Sequence, residues 1–204
     1  MRTVLCGALL AALLAGCAPA PVRMSEADRS AVKAVALSKD VAKPPEPFYL
    51  GPGGAVGLMF GALGAAATEP GRQNARAALQ EFVEKNGVSI ERIVREEVDA
   101  ALRASGKLAV SEDASGATIR ITIAQYGLSI PNGFSSNLVP VLTVTCQMVD
   151  AAGKVLWSAS DRIGTLGNPV EGVPAEQMRG DPKAIEAAWR AAARHVSANI
   201  VKDL

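Results

Sequence analysis

The sequence predicts an α+β domain: one antiparallel or mixed sheet of about five strands with two main helices packed on it, after a signal peptide and a tether. Three observations carry this prediction. Apolar residues recur at spacings of three and four over 72–105 and again over 185–200, which is helical. Over 118–126 they alternate with polar residues, which marks a strand with one wet face. Two further apolar runs, 138–149 and 155–163, flank Asp150-Ala151-Ala152-Gly153-Lys154, whose turn chemistry makes them a hairpin. Strands and helices in separate blocks describe α+β packing, and no internal repeat is present.

In chain order, residues 17–30 are small, polar and proline-punctuated, and read as a tether. The folded domain is expected over 31–204, with a first strand at 32–37. Pro44-Pro45-Glu46-Pro47 then ends any regular element, because proline lacks the amide donor and restricts its predecessor. Over 72–105, Leu79, Phe82 and Val83 form one apolar patch and Ile90, Ile93, Val94, Val98, Ala101 and Leu102 another. Asn86-Gly87 interrupts or kinks the stretch, giving two helices or one bent helix, and Ser105-Gly106 stops it. Glu91, Arg92, Arg95, Glu96 and Asp99 are expected on a solvated outer face. Short strands are expected at 108–112 and 118–126, and Pro140 sits near the start of the 138–149 strand, where an edge or first position tolerates it. Residues 164–180 have no clear period and read as a loop. Asp181-Pro182 begins the last helix, with aspartate as N-cap and proline at the first helical position. Its buried stripe is Ile185, Trp189, Ala192, Ala193, Val196 and Ile200.

Residues 47–68 carry no charge, and six glycines fall within 51–64. Gly53, Gly57 and Gly61 repeat every four residues, a spacing that permits close helix contact in membranes. That glycine content disfavours an isolated helix in water, and the apolar run is too short to span a bilayer as a straight helix. Three readings stay open: a loop ordered by a partner, a segment packed on the domain, or a membrane-inserting or oligomerising element. The apolar residues it would present are Leu58, Met59, Phe60 and Leu63. Phe134, in the inter-strand loop Pro131-Asn132-Gly133-Phe134-Ser135-Ser136-Asn137, is a second candidate partner contact, with Tyr126 near it.

The amino terminus has one charge, Arg2, then an apolar run over 4–15 and the small residues of a cleavage point, the order of a secretory signal. Leu14-Ala15-Gly16-Cys17 resembles the lipobox of bacterial lipoproteins. The resemblance implies cleavage of residues 1–16, a diacylglyceryl group on Cys17 and often an acylated new amino terminus. Each buried methylene contributes about 0.8 kcal/mol, so two or three acyl chains hold firmly where one is marginal. Ala18, where the inner-membrane retention signal would have aspartate, implies the outer membrane, with the body on the periplasmic face.

Composition excludes several function classes. Arg2 is the only charged residue among 1–16, so removing them leaves 188 residues with 20 basic and 20 acidic side chains and no net charge. That is enough chain for one substantial core, but it supplies neither an electrostatic nucleic-acid footprint nor a polybasic lipid-reading segment. With Cys6 removed and Cys17 modified, Cys146 stands alone and reads as a buried inert thiol. One histidine, His195, and one free cysteine cannot build a histidine–cysteine metal cluster, and no calcium-loop run appears. Gly51-Pro52-Gly53-Gly54 lacks the lysine and hydroxyl residue of a phosphate loop. Ser135-Ser136 lacks the strand–turn–helix context of a nucleophile elbow. His195 reads as structural, and Trp157 and Trp189 as core.

No catalytic residue, metal or cofactor is therefore expected; the chain is not expected to be an enzyme. The strand over 119–126 with Gly127, and the hairpin over 149–157, resemble envelope accessory lipoproteins of transport, secretion or outer-membrane assembly systems. The expected function is a membrane-anchored periplasmic lipoprotein, a non-enzymatic binding or assembly component of the envelope with a protein partner or a second copy. The alternative is an auxiliary or carrier for a lipidic ligand. An internal apolar cavity between helix and sheet would favour the carrier; a filled core would favour protein partners.

Overall fold

The computed structural model describes residues 21–50, 72–112, 114, 116–132, 135–178 and 180–204. A mixed sheet runs in the order β3-β1-β4-β5-β6, with two short strands, β2 and β7, paired to β4 and β5. The strands are β1 (Ala34–Ala42), β2 (Phe48–Leu50), β3 (Ala109–Val110), β4 (Ala117–Ser129), β5 (Asn137–Asp150), β6 (Val155–Ile163) and β7 (Val173–Pro174). The helices are α1 (Glu26–Ala31), α2 (Arg72–Lys85), α3 (Ile90–Ser105) and α4 (Pro182–Lys202).

The β4–β5–β6 meander is the antiparallel body of the sheet. Asp150 sets its second turn: Oδ1 accepts from the amides of Ala152 and Lys154, both at 2.9 Å, and Gly153 takes φ +84°. On the inner face β4 presents Ile119, Ile121 and Ile123, opposite Met148, Cys146 and Val144 of β5. A register shift between Ile123 and Gln125 then moves the inward phase to Tyr126 and Leu128. The outer face carries Arg120, Thr122, Thr145, Ser160 and Arg162, half-buried or exposed. α3 and α4 lie side by side on the inner face, and the space between them and the sheet is filled by Ile93, Leu102, Trp157, Trp189, Val196 and the β4 isoleucines, all essentially inaccessible.

Each helix end has a local cause. Ser89 Oγ accepts from the Arg92 amide at 3.1 Å to start α3, and Gly106 at φ +63° stops it. Gly87, at φ +68°, makes the turn that separates α2 from α3, so the 72–105 stretch is two helices. Asp181 caps α4 through Lys183, with Pro182 at its first position.

Three expectations change. The first strand lies at Ala34–Ala42 rather than 32–37, because its pairing is parallel to β3 and β4, a long-range constraint. The expected 17–30 tether is folded onto the domain from residue 21. Val22 exchanges both backbone bonds with Ser158 on the free edge of β6, at 3.1 and 2.9 Å, Met24 is buried, and α1 follows. The third changes only in part: Glu91, Arg92, Arg95, Glu96 and Asp99 lie exposed or half-exposed on the outer face as expected, but some of them also pair with α4. Arg190 of α4 meets Glu96 at 2.9 Å and both Glu97 and Glu186 at 3.2 Å, Arg194 meets Glu97 at 3.3 Å, and Arg92 meets Glu186 at 3.1 Å. The two helices are thus sewn together along their outer seam, where Glu97 is buried between two arginines.

Candidate functional site

The region with the most unusual construction is the place where one sheet edge is broken. β1 pairs with Thr118–Thr122 of β4 and β2 with Gly127–Ser129, both parallel. Between them, residues 43–47 leave the edge opposite the β4 register shift, since three prolines in five residues cannot supply a ladder. Lys43 and Tyr126 face each other across this break, the ammonium 5.6 Å from the ring centre.

A cleft of about 260 Å³ opens here, walled by Gln80, Val83 and Glu84 of α2, the Gly87-Val88-Ser89 turn, Glu91 of α3 and Trp189 of α4. Its polar groups are already paired. The Tyr126 hydroxyl donates to Gln80 Oε1 at 2.9 Å, and Gln80 Nε2 donates to Glu84. Lys43 pairs with Glu91 at 3.4 Å, and Ser89 Oγ donates to the same carboxylate at 2.9 Å. Burial first, then the nearby negative charges of Glu91, Glu84 and Glu46, push the Tyr126 hydroxyl up to about 12, so at neutral pH it is a donor and not a base. No nucleophile faces a free general base in this cleft; what it offers is shape and a set of oriented donors and acceptors.

Beneath the cleft, Gly127 is the joint on which β2 rests. It takes φ +151°, and a Cβ there would overlap the Phe48 carbonyl oxygen and come within 2.6 Å of that carbonyl carbon. The Trp189 indole donates to the Gly127 carbonyl at 3.0 Å from the other side and meets Tyr126 edge-on, ring centres 5.6 Å apart. Tyr126 and Trp189 are both core residues. Tyr126 is held by Gln80 and Trp189 in the cleft wall; its expected neighbour Phe134 lies outside the described residues.

The expected partner-contact residues Leu58, Met59, Phe60, Leu63 and Phe134, and the expected lipidation site Cys17, lie outside the described residues. Where the chain enters and leaves these segments is described, and the entries converge. The Ile130 amide donates to the Leu50 carbonyl at 2.8 Å, so the chain departs toward 51–71 beside the point where it departs toward 133–134. It re-emerges in α2, whose Arg76 guanidinium stacks 5.7 Å from the Phe48 ring. Leu166, exposed to 83%, belongs to the same end of the sheet, because the neighbouring Thr165 hydroxyl donates to Ser129 Oγ at 3.1 Å. Here too the Tyr49 hydroxyl and Arg76 Nε are buried without a hydrogen-bond partner, and burial pushes the Tyr49 hydroxyl up to about 12. Gly127 is the residue that sequence reasoning missed; a glycine directly after a strand's aromatic residue was the available signal.

Elsewhere the chemistry is inert. Cys146 is buried and its thiol is pushed up to about 12 by burial alone. His195 is exposed, with Asn199 Nδ2 3.1 Å from its Nε2. Among the described residues no group of three or more histidine, cysteine, aspartate or glutamate side chains is placed to hold a metal, and no helix is long and apolar enough to cross a membrane.

No protein-family model matches the chain, and no curated protein sequence does. Among solved structures it is similar to the PelC dodecamer from Paraburkholderia phytofirmans, at 12% identity over 84% of this chain and 87% of that one, TM-score 0.40. It is also similar to protein XCC0632 from Xanthomonas campestris, described as DUF330, at 14% identity over 88% of each chain, TM-score 0.45.

Proposed function

We propose that this protein is a lipid-anchored, non-enzymatic envelope component, held at the outer membrane through acyl chains on Cys17 with its body on the periplasmic face. It acts by binding another envelope protein or a second copy of itself. The observation that carries the location is Leu14-Ala15-Gly16-Cys17 at the end of an apolar run. A binding role is supported by the convergence of Leu50, Ile130 and Thr165 at one end of the sheet. The contact residues in this reading are Leu58, Met59, Phe60, Leu63 and Phe134. Glycine loses the most backbone freedom on ordering, so a segment of this composition gains stability chiefly when a partner surface covers its apolar residues. The carrier alternative would need an internal apolar cavity between helix and sheet; the cleft there holds about 260 Å³ and its polar groups are paired with one another.

Replacing Cys17 with serine is expected to abolish incorporation of labelled acyl chains and to leave precursor or soluble material. Photo-crosslinkers at Phe60 and Phe134 are expected to capture the same component in intact envelopes, and deletion of residues 51–67 to abolish capture while sparing the fold. Acyl labelling and normal membrane fractionation of the Cys17→Ser chain would refute the anchor. Unfolding of the domain by the deletion would refute the role of the segment.

A further inference from the structure

We infer that the domain is held on the bilayer in one orientation, with the corner formed by α1, the β6 edge and the end of α4 against the lipid headgroups and the opposite end of the sheet directed away. The inference rests on the acylation of Cys17 proposed above. Its geometric basis is the folding of residues 21–31 onto the domain. Four residues lie between Cys17 and Val22, five steps with a reach of at most about 18 Å, and Val22 is fixed to Ser158 by two backbone bonds. An acylated cysteine sits at headgroup level, so Ser158 must lie within that reach of the membrane surface.

The domain cannot stand on the opposite end of the sheet. Ser158 is level with Gln147, and Gln147 with Arg120. From Arg120 to Ser129 the strand climbs roughly 25–30 Å at about 3.3 Å per residue. Standing the sheet upright on the Leu50–Ile130–Thr165 end would lift Ser158 beyond the reach of the tether, and the basic groups at the corner favour it over a sheet lying flat.

The corner itself suits a phospholipid surface. A concavity of about 400 Å³ is lined there by Arg23, Arg29 and Lys202, with Asp203 the one acidic residue among its lining groups. Arg23 and Lys202 are exposed. Arg29 donates to the Leu204 carbonyl at 2.8 Å, and Lys202 to Asn199 Oδ1 at 2.8 Å. Glu26 also lies on α1, whereas Asp28 faces Lys154 at 3.5 Å. The three basic groups are placed to meet lipid phosphates, the anchor supplying the affinity and the charges the attitude.

The test uses the full acylated chain in vesicles of phosphatidylethanolamine and phosphatidylglycerol carrying a headgroup-attached quencher. A fluorophore is placed on Ala27→Cys, exposed on α1, or on Leu166→Cys; Cys146 is buried and does not compete. A second pair, Lys154→Cys and Glu171→Cys, guards against a label that disturbs its own site. Several-fold stronger quenching at 27 and 154 than at 166 and 171 is expected. Equal quenching at the two ends, or the reverse order, with acylation of Cys17 confirmed by mass, would overturn the orientation while leaving the anchor standing. Absence of acyl mass on Cys17 would overturn both.

Discussion

Replacing Gly127 with alanine tests the joint on which the candidate site is built. The added Cβ would overlap the Phe48 carbonyl, and the backbone at φ +151° is one that residues with a side chain rarely adopt. Neither β4 nor β2 has slack: β4 is paired to β5 along its length, and the Gly127 carbonyl is held by Trp189. The outcome is therefore that β2 lifts off. Tyr49, 3% exposed, would return to water at a loss of about 1.5–3 kcal/mol. The short parallel ladder of Phe48–Leu50 would contribute about 1–2 kcal/mol more in lost backbone bonds. A total near 2.5–5 kcal/mol corresponds to a fall of roughly 5–20 °C in Tm for a chain of this size. Chemical unfolding followed by tryptophan fluorescence reads the loss, and amide exchange at residues 48–50 localises it. Destabilisation below about 0.5 kcal/mol with those amides still protected would show that β2 does not lie over Gly127, and the site as described would fall with it.

Ile93→Asp and Trp189→Asp each place a charge where the native side chain is inaccessible, and each is expected to cost several kcal/mol in thermal unfolding; unchanged transitions would mean the helix faces are misassigned. Hydrogen bonds from Arg92, outweighing burial, hold Glu186 below its ordinary value of 4.5, so its contribution is present above that pH and is lost as the pH falls through the lowered folded value. Glu96 follows the same course, because Arg190 and Arg92 outweigh its burial. The excess stability of the parent over Arg190→Ala should therefore shrink in denaturant titrations carried down from pH 6 to pH 3, roughly the range over which carboxylates protonate; a constant difference would refute the seam. Cys146 should resist thiol reagents in the folded chain and react once denatured, and fast labelling under native conditions would contradict its burial.

Where a residue's environment is decided by its near neighbours, the sequence already spoke for it. The meander was legible because Asp150 and Gly153 make their own turn and the β4 isoleucines alternate without long-range help. The β4 register shift is not legible in the same way, since a single alternation over 118–126 would put Tyr126 on the wet face. The α4 cap lay in Asp181-Pro182. What escaped was settled by distant partners. Ala34–Ala42 has no signal for pairing in parallel with a strand about 80 residues later, and Val22 and Met24 are single anchors with no period. α1 did carry a local signature, since Ser25 Oγ accepts from the Asp28 amide at 3.1 Å and donates to the Asp28 carboxylate at 2.6 Å, a reciprocal cap within Ser25-Glu26-Ala27-Asp28. At the candidate site Trp189 was legible as core; Tyr126 was not, because it falls on the wet phase of the alternation, nor was Gly127, because its necessity comes from a backbone that passes over it.

The broken edge also sets the order of assembly. A ribosome delivers β1 and β2 first, yet each must wait for the part of β4 that pairs with it, about 80 residues further along the chain. The meander, by contrast, closes through short connections and can form as soon as β6 has emerged. Loop closure over long separations is slow, so the amino-terminal edge is the last piece to dock. Until then Val35 and Tyr49 are exposed together with the unpaired flank of β4, a surface that invites pairing with other chains. That interval is when protection by a chaperone would matter most, and substitutions that weaken the edge should reduce yield before they reduce the stability of what has folded.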